Sequence, residues 1–193
     1  MDTVITAARS DRHEAICDAV LELLSEVGYD RMSMDAVATR ARASKATIYR
    51  AWPNKPDLVM DALVHRFGGP PEIPDTGSLR ADLIAMLSGA CTLASNPDGS
   101  VITGLMCAAD RDPELSRTLY KLLYEMKHPI HLAILSRAVG RGEVPAEASA
   151  DLLHEVIHSM VFTRLLWAPS TLDDCFVVHV VDDVLLPVLT KGA

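Results

Sequence analysis

The stretch RASKATIYRAWPNKPD, residues 42–57, concentrates positive charge in a chain that is acidic overall. Five positive residues lie between Arg40 and Lys55, and no Asp or Glu occurs from Ala36 to Pro56. The whole chain of 193 residues has a formal net charge of -8. A small basic face on an acidic body is typical of a protein that contacts a polyanion at one place.

The residues on both sides of this stretch predict short helices. Apolar residues recur at helical spacing from Arg9 to Val27, and Gly28 is a stop signal. Ser33 can cap a second helix, and Asn54 can cap a fourth that buries Val59, Leu63 and Phe67. These patterns predict a small helical domain over residues 1–67.

The middle of that domain has a helix-turn-helix pattern. A short helix after Ser33 is followed by a tight connector at Arg42 and Ala43, and Ser44 can cap the next helix, residues 45–52. In this motif the N-terminal residues of the second helix reach base edges in the major groove. Base contacts are predicted for Ser44, Lys45, Ala46 and Thr47, and phosphate contacts for Lys45, Tyr49, Arg50 and Lys55.

The stretch RMSMDAVATRARASKATIYRAWPNKPDLVMDAL, residues 31–63, resembles the DNA-binding domain of the TetR family of bacterial transcriptional regulators. The resemblance implies an all-α, two-domain homodimer, with a helix-turn-helix domain followed by a larger helical domain. It also implies that Ser33 touches operator DNA together with the residues named above. Many members have Gly where this chain has Arg42. A left-handed backbone there would cost about 1 kcal/mol, and a phosphate contact by Arg42 could offset that cost.

Residues 68–193 are predicted to form the second domain, after a connector rich in Gly and Pro that runs to Gly77. Ser78 caps the first helix of this domain, and a short helix covers about Ser100 to Asp110. A long helix begins near Pro113, is kinked at Pro129 and ends at Gly140.

The next helical pattern places Leu152, Leu153 and Val156 inward. Thr171 is predicted to cap the last helix, although the run FVVHVVDDVLLPVL is rich enough in valine to be a strand. A helix is favoured there because helical spacing is kept by Phe176, Val177, Val180, Val181, Val184 and Leu185.

The segment RAVGRGEVPAEASADLLHEVIHSMVFTRLLW, residues 137–167, resembles the ligand-binding and dimerisation domains of the same family. The resemblance implies a small-molecule effector among these helices and pairing of the last two long helices with a second copy. Ordinary core packing is the alternative for each candidate lining residue. The candidates are Met86, Met106, Cys107, Leu123, Met126, Met160, Phe162 and Trp167. His128 and His131 are predicted to lie at the surface.

Residues 154–158 read HEVIH, which is the HExxH signature of zinc metalloproteases. His154 and His158 would share one helix face, and Glu155 would be the base. A catalytic site needs a third ligand, for which His179 or Asp182 is available. The apolar face nearby, expected in a dimer interface, is a poor place for a substrate cleft. We therefore predict neither a metal site nor a cofactor, and keep two alternatives: a zinc hydrolase, and a structural or regulatory metal at His154 and His158.

The remaining features predict a reduced, cytoplasmic protein. No apolar run is long enough to span a membrane, and the N-terminus lacks the features of a signal peptide. The four cysteines form no CxxC pair, so they are predicted to be buried thiols. The sequence thus predicts a ligand-responsive regulator, with repression as the default, that binds palindromic double-stranded operator DNA as a homodimer. A helical protein-interaction module is the other alternative.

Overall fold

The computed structural model describes residues 2–67, 72–95, 97–168 and 172–190. These residues form helices and connecting turns without any strand, so the predicted all-α class is confirmed. They divide into two compact units. The first unit joins the residues up to 67 with residues 104–120, and the second joins residues 72–103 with those from Lys121 onwards.

The first unit contains α1, α2, α3, α4, α7 and the C-terminal part of α6. Their bounds are α1 Asp2–Arg31, α2 Met34–Arg40, α3 Lys45–Ala51, α4 Lys55–Phe67, α6 Pro97–Ala109 and α7 Pro113–Tyr120. The predicted apolar stripe of α1 is buried from Ile16 to Leu24, and Val59 and Leu63 of α4 are buried as well. Helix α1 packs on α4 and α2. The side chain of Phe67 lies outside the described residues.

Each predicted N-cap in this unit makes its hydrogen bond. The hydroxyl of Ser33 accepts from the backbone N–H of Ala36, and that of Ser44 accepts from the N–H of Thr47. The side chain of Asn54 accepts from the N–H of Asp57 at 2.7 Å. These bonds satisfy donors that a helix start leaves without partners, and so define where α2, α3 and α4 begin.

Among the described residues of this unit, Gly28 and Arg42 have a positive φ. Gly28, at φ 76°, breaks the helical geometry of α1 near its end, as its stop signal predicts. Arg42, at φ 51°, has the left-handed backbone that the turn between α2 and α3 requires. Arg42 therefore carries the strain of about 1 kcal/mol expected for a side chain in that region.

The second unit contains α5, the N-terminal part of α6, α8 to α11 and two π-helical segments. The α-helix bounds are α5 Leu79–Ser95, α8 His128–Gly140, α9 Ala150–Trp167, α10 Asp174–His179 and α11 Leu186–Thr190. The π-helical segments are π1 Lys121–Glu125 and π2 Val180–Leu185. The prediction that α6 begins near Ser100 is wrong by three residues, because Pro97 already lies in its first turn.

The predicted single helix kinked at Pro129 is instead α7, π1 and α8 in succession. The wide turn of π1 precedes Pro129, which lies in the first turn of α8, where its missing N–H costs no hydrogen bond. Likewise, π2 comes just before Pro187 in α11. A proline ring clashes with the carbonyl four residues earlier, and a π turn relieves that clash.

The valine-rich C-terminal run is helical, which excludes the strand alternative. Asp173 is the N-cap of α10, and its carboxylate accepts from the backbone N–H of Phe176 at 2.9 Å. Thr171, the predicted cap, lies outside the described residues, as does the Gly68–Pro71 part of the predicted connector. Phe176, Val177, Val180, Val181 and Leu185 are buried at the predicted spacing.

The core of the second unit is formed by α5, α8, α9, α10 and π2. Leu83, Leu87, Ile134 and Leu153 are among its fully buried side chains. Leu152, which the periodicity places inward, is exposed instead. No helix among the described residues meets the length and hydropathy needed to cross a bilayer.

One charged side chain lies in the interior of this unit. The carboxylate of Asp82 is 0% exposed and accepts from both the backbone N–H and the hydroxyl of Thr76, each at 2.7 Å. Arg141 lies 3.4 Å away. Burial, the largest single influence, opposes ionisation, but the two Thr76 hydrogen bonds and the charges of Arg137 and Arg141 together lower the pKa of Asp82. Asp82 therefore connects α5 to the loop before it and to the end of α8.

Candidate DNA-binding site

Helix α3 presents its N-terminal end to solvent. Ser44, Lys45, Ala46, Tyr49 and Arg50 are exposed, and Thr47 is partly exposed. The opposite side of the helix is anchored by Ile48, which is fully buried. Because α3 has only seven residues, this single buried anchor leaves most of its surface open for contacts with another molecule.

Asp35, on α2, holds two of the predicted contact residues. Its carboxylate accepts from the Lys45 ammonium at 2.5 Å and from the Tyr49 hydroxyl at 3.3 Å. The Lys45 hydrogen bond lowers the pKa of the Asp35 carboxyl. Asp35 was not predicted from the sequence, because nothing in the linear pattern shows that α2 and α3 bring these three side chains together.

The other arginines of the basic stretch differ in their contacts. Arg40 forms ion pairs with Glu22 at 2.9 Å and Glu26 at 2.7 Å, both on α1. Arg42 and Arg50 are exposed. Arg40 thus ties α2 to α1, whereas Arg42 and Arg50 lie where a polyanion can reach them.

Lys55 has a structural role that its charge alone did not indicate. Its ammonium donates to the carbonyls of Tyr29 at 2.9 Å and Met32 at 3.2 Å, and lies 3.8 Å from the centre of the Tyr29 ring. Burial lowers its pKa. An ammonium has three donors, so one N–H is left for a phosphate. Phosphate contact by Lys55 stays a prediction, as do the contacts of the other eight residues.

A groove of about 460 Å³ lies beside α3. It is bordered by Thr47, Arg50 and Trp52 on one side and by residues of α1 on the other. One of the α1 residues is Arg12, an exposed cation that the sequence reasoning missed because it lies far from the basic stretch. Arg12 and Arg50 thus border the same groove, together with Asp61 of α4.

The candidate ligand-binding residues are divided between the two units. Met106 and Cys107 belong to the first unit, and the other six belong to the second. Met86 and Met160 pack against the core of the second unit. Cys107 and Trp167 are exposed, Trp167 at 83%. The expectation of four buried thiols is correct for Cys17 and Cys91 and wrong for Cys107 and Cys175, which are exposed; all four are free.

A cluster of histidines lies between α8 and α9 in the second unit. The ring centres of His131 and His154 are 5.2 Å apart, and those of His154 and His158 are 4.2 Å apart. The prediction that His131 lies at the surface is wrong, since it is only 3% exposed. The Nδ1 atoms of His131 and His154 are buried without a hydrogen-bond partner, which makes the cluster a candidate for polar ligand contacts.

The buried histidines are expected to make the protein sensitive to acid. Burial lowers the pKa of His131 to about 4 and that of His158 to about 3, helped by Lys127 and by neighbouring histidines. Below the unfolded-state pKa of about 6.5, the unfolded chain binds protons that the folded chain does not, so stability falls as the pH falls. The contribution of His131 amounts to about 2 kcal/mol between pH 6.5 and 5.

Urea unfolding of the wild type and of His131→Leu at pH 7 and pH 5 tests this expectation. The variant should lose about 2 kcal/mol less than the wild type over that interval. Replacing Leu132, an exposed residue next to His131 on α8, with Ala is the matched control; it changes no titratable group and should leave the pH dependence as in the wild type. An equal loss in all three proteins would contradict the assignment.

Sequence comparisons identify relatives over nearly the whole chain. Residues 16–62 match the family described as bacterial regulatory proteins, tetR family, and residues 73–184 match the tetracyclin repressor-like C-terminal domain. A DNA-binding transcriptional repressor TetR of Mycobacteroides abscessus is 40% identical over 190 residues, which cover 98% of this chain and 100% of that protein. An uncharacterized HTH-type transcriptional regulator of Mycobacterium tuberculosis is 36% identical over 185 residues, covering 95% and 90%.

A structural comparison agrees with these relatives. The crystal structure of the TetR family transcription regulator SCO0332 superposes with a TM-score of 0.70 at 30% sequence identity. The match covers 92% of this chain and 97% of that one. The similarity therefore includes both the helices around α3 and those of the second unit.

Proposed function

The chain belongs to the TetR family of bacterial transcriptional regulators, and from that premise we propose that it is a repressor that binds a palindromic operator as a homodimer. It is a ligand-responsive transcriptional regulator. The observation that carries the proposal is the exposed N-terminal end of α3, where Ser44, Lys45 and Ala46 lie on a helix anchored from behind by Ile48. Such an end fits the major groove.

Each predicted contact residue has a role in this proposal. Ser44, Ala46 and Thr47 approach base edges, because their short side chains let the helix end come close. The phosphates are contacted by Ser33, Arg42, Lys45, Tyr49, Arg50 and the third N–H of Lys55. Arg12 adds positive charge at the edge of the same surface.

We propose that Asp35 keeps the DNA-binding surface ordered while DNA is absent. Lys45 and Tyr49 both contact its carboxylate, so their long side chains are held near α3. When DNA arrives, phosphate oxygens replace the carboxylate as partners of these two side chains. The exchange makes the contribution of Lys45 to affinity smaller than that of an unpaired cation.

The homodimer is supported by apolar side chains that α9 and the C-terminal helices leave exposed. Leu166 and Trp167 at the end of α9, Val178 on α10 and Val188 on α11 are exposed. Helix α9 and the continuous helical run α10–π2–α11 are adjacent and long, and their exposed apolar residues suit a four-helix interface with a second copy. Two copies set the two α3 helices about 34 Å apart, as a palindromic site requires.

We propose that residues 1–67 act on DNA and that residues 68–193 bind the effector and the second copy. The histidine cluster of α8 and α9 supports an effector site there, because the Nδ1 atoms of His131 and His154 are buried without a hydrogen-bond partner. Catalysis through the HEVIH segment is not part of the proposal. Glu155 is exposed whereas His154 is buried, so the base and the first ligand of a zinc protease would lie in different environments.

Enrichment of genomic DNA fragments on the purified protein, followed by sequencing, tests the proposal. The wild type should enrich one palindromic site. The double variant Leu166→Glu, Val178→Glu should be monomeric in analytical ultracentrifugation and lose the enrichment, because four carboxylates would be buried at the interface. We expect its dimer dissociation constant to rise by more than about 100-fold.

The matched control is Leu132→Glu, which places the same charge on an exposed apolar position of α8. It should stay dimeric and enrich the same site. A folded, dimeric wild type that enriches no fragment would argue against DNA binding and favour the protein-interaction alternative.

A further inference from the structure

Two helices of the first unit bring a set of metal-ligating side chains together. His13 and Cys17 are four residues apart on α1 and share one helix face. His65, on α4, lies opposite, and its ring centre is 5.2 Å from that of His13. One ligand atom from each of these three residues lies within 4.8 Å of the other two. From this geometry we propose that His13, Cys17 and His65 bind a thiophilic divalent cation such as Zn²⁺.

The spacing of the atoms fits a tetrahedral ion. Zn–N and Zn–S bonds at tetrahedral angles place a histidine nitrogen and a cysteine sulfur about 3.6 Å apart. The Sγ atom of Cys17 is 3.8 Å from Nδ1 of His13. Sγ lies equally far from Nε2 of His13, so the His13 ring must turn to point its Nδ1 lone pair at the ion, and the exposed His65 ring can turn to supply the third ligand.

Asp61, also on α4, orients His13 for this role. Its carboxylate is 2.7 Å from Nε2 of His13, so Nε2–H can donate to it and leave the lone pair on Nδ1 free for an ion. A carboxylate behind a ligating histidine is the usual arrangement at zinc sites. The indole N–H of Trp52 donates to the same carboxylate oxygen at 2.9 Å.

The sulfur atom of Cys17 determines which ions the site selects, because a thiolate is a soft ligand. A hard cation such as Mg²⁺ gains little from sulfur, whereas Zn²⁺ and Co²⁺ bind the thiolate directly and displace its proton. The site therefore favours thiophilic ions.

The site is linked to α3 through Trp52, which is the C-cap of that helix. A bound ion would connect α1, α4 and, through Asp61 and Trp52, the end of α3. By reciprocal linkage, any effect of the ion on operator affinity must equal the effect of the operator on ion affinity. Binding of the ion by these three residues is separate from the proposed DNA-binding function.

Titration of the full-length, reduced protein with Co²⁺ tests the site. We expect one Co²⁺ per chain with tetrahedral d–d bands and a thiolate charge-transfer band, and displacement by Zn²⁺. His65→Ala should weaken binding at least about tenfold, and Asp61→Asn should weaken it about 10- to 100-fold. Because His65 is exposed, its variant is expected to fold normally.

Cys17→Ala should abolish the charge-transfer band, whereas the matched variants at the exposed thiols, Cys107→Ala and Cys175→Ala, should keep it. Circular dichroism of each variant establishes that it is folded. If Cys17→Ala does not fold, His65→Ala alone decides the question. Absence of the bands in the wild type, or wild-type Co²⁺ affinity in folded His65→Ala, would overturn the proposal.

Discussion

Replacing Arg50 with alanine is expected to weaken operator binding by about 100-fold while the protein stays folded. Arg50 is exposed on α3, so its removal leaves the core intact. A charge-assisted hydrogen bond to phosphate contributes about 1.5 kcal/mol, and the homodimer loses two of them. The loss of affinity should be similar for all DNA sequences. The slope of log affinity against log salt concentration should decrease in magnitude by about 2 per dimer.

Lys45→Ala is also expected to weaken operator binding, but by less, because wild-type Lys45 must leave Asp35 to reach DNA. Asp35→Asn should therefore strengthen binding, since it removes a competing carboxylate. Arg117→Ala removes an equal charge from α7 of the same unit and serves as the matched control, with little change expected. Fluorescence anisotropy with a labelled operator at several salt concentrations measures all four variants. Wild-type affinity in both Lys45→Ala and Arg50→Ala would contradict the DNA-contact assignment.

Asp82→Ala is expected to lower the free energy of unfolding by about 3 kcal/mol. The change leaves the backbone N–H of Thr76 without its acceptor, removes the partner of the Thr76 hydroxyl, and creates a cavity at a fully buried position. Arg141 also loses a carboxylate at 3.4 Å. Urea denaturation followed by circular dichroism at neutral pH measures the loss.

Asp75→Ala is the matched control for Asp82. Asp75 lies in the loop just before, with a side chain that is 63% exposed and an Arg137 partner at 3.6 Å. Exposed ion pairs contribute little, so its loss should stay below about 1 kcal/mol. An equal loss in the free energy of unfolding for the two variants would show that the buried hydrogen bonds of Asp82 stabilise the protein no more than an exposed ion pair does.

The helices around α3 could be predicted from the sequence because their signals are local. Ser33, Ser44 and Asn54 cap the helices that follow them, and each cap bond spans three residues. The left-handed backbone at Arg42 was suggested by the family resemblance, because many members have Gly at that position. Local hydrogen bonds of this kind need only a few residues in the right order.

The predictions that failed depended on how the helices pack, which a local pattern in the sequence does not show. Pro129 was expected to kink a continuous helix, but π1 absorbs the clash first and Pro129 starts a new helix. Leu152 has the spacing of a buried residue, yet it is exposed. Periodicity indicates which residues share a face, but only packing shows which part of that face is covered.

By itself the sequence determined the all-helical fold, the position of the helix-turn-helix pair and the family resemblance, because caps, breakers and apolar spacing act over a few residues. Only the tertiary structure decided the partners of the charged and ligating side chains: Asp35 beside Lys45, Lys55 under the end of α1, and His65 opposite His13. Hydrogen bonds and metal bonds require atoms within a few ångströms. Residues 10 to 52 positions apart in the chain meet that requirement only after the helices pack.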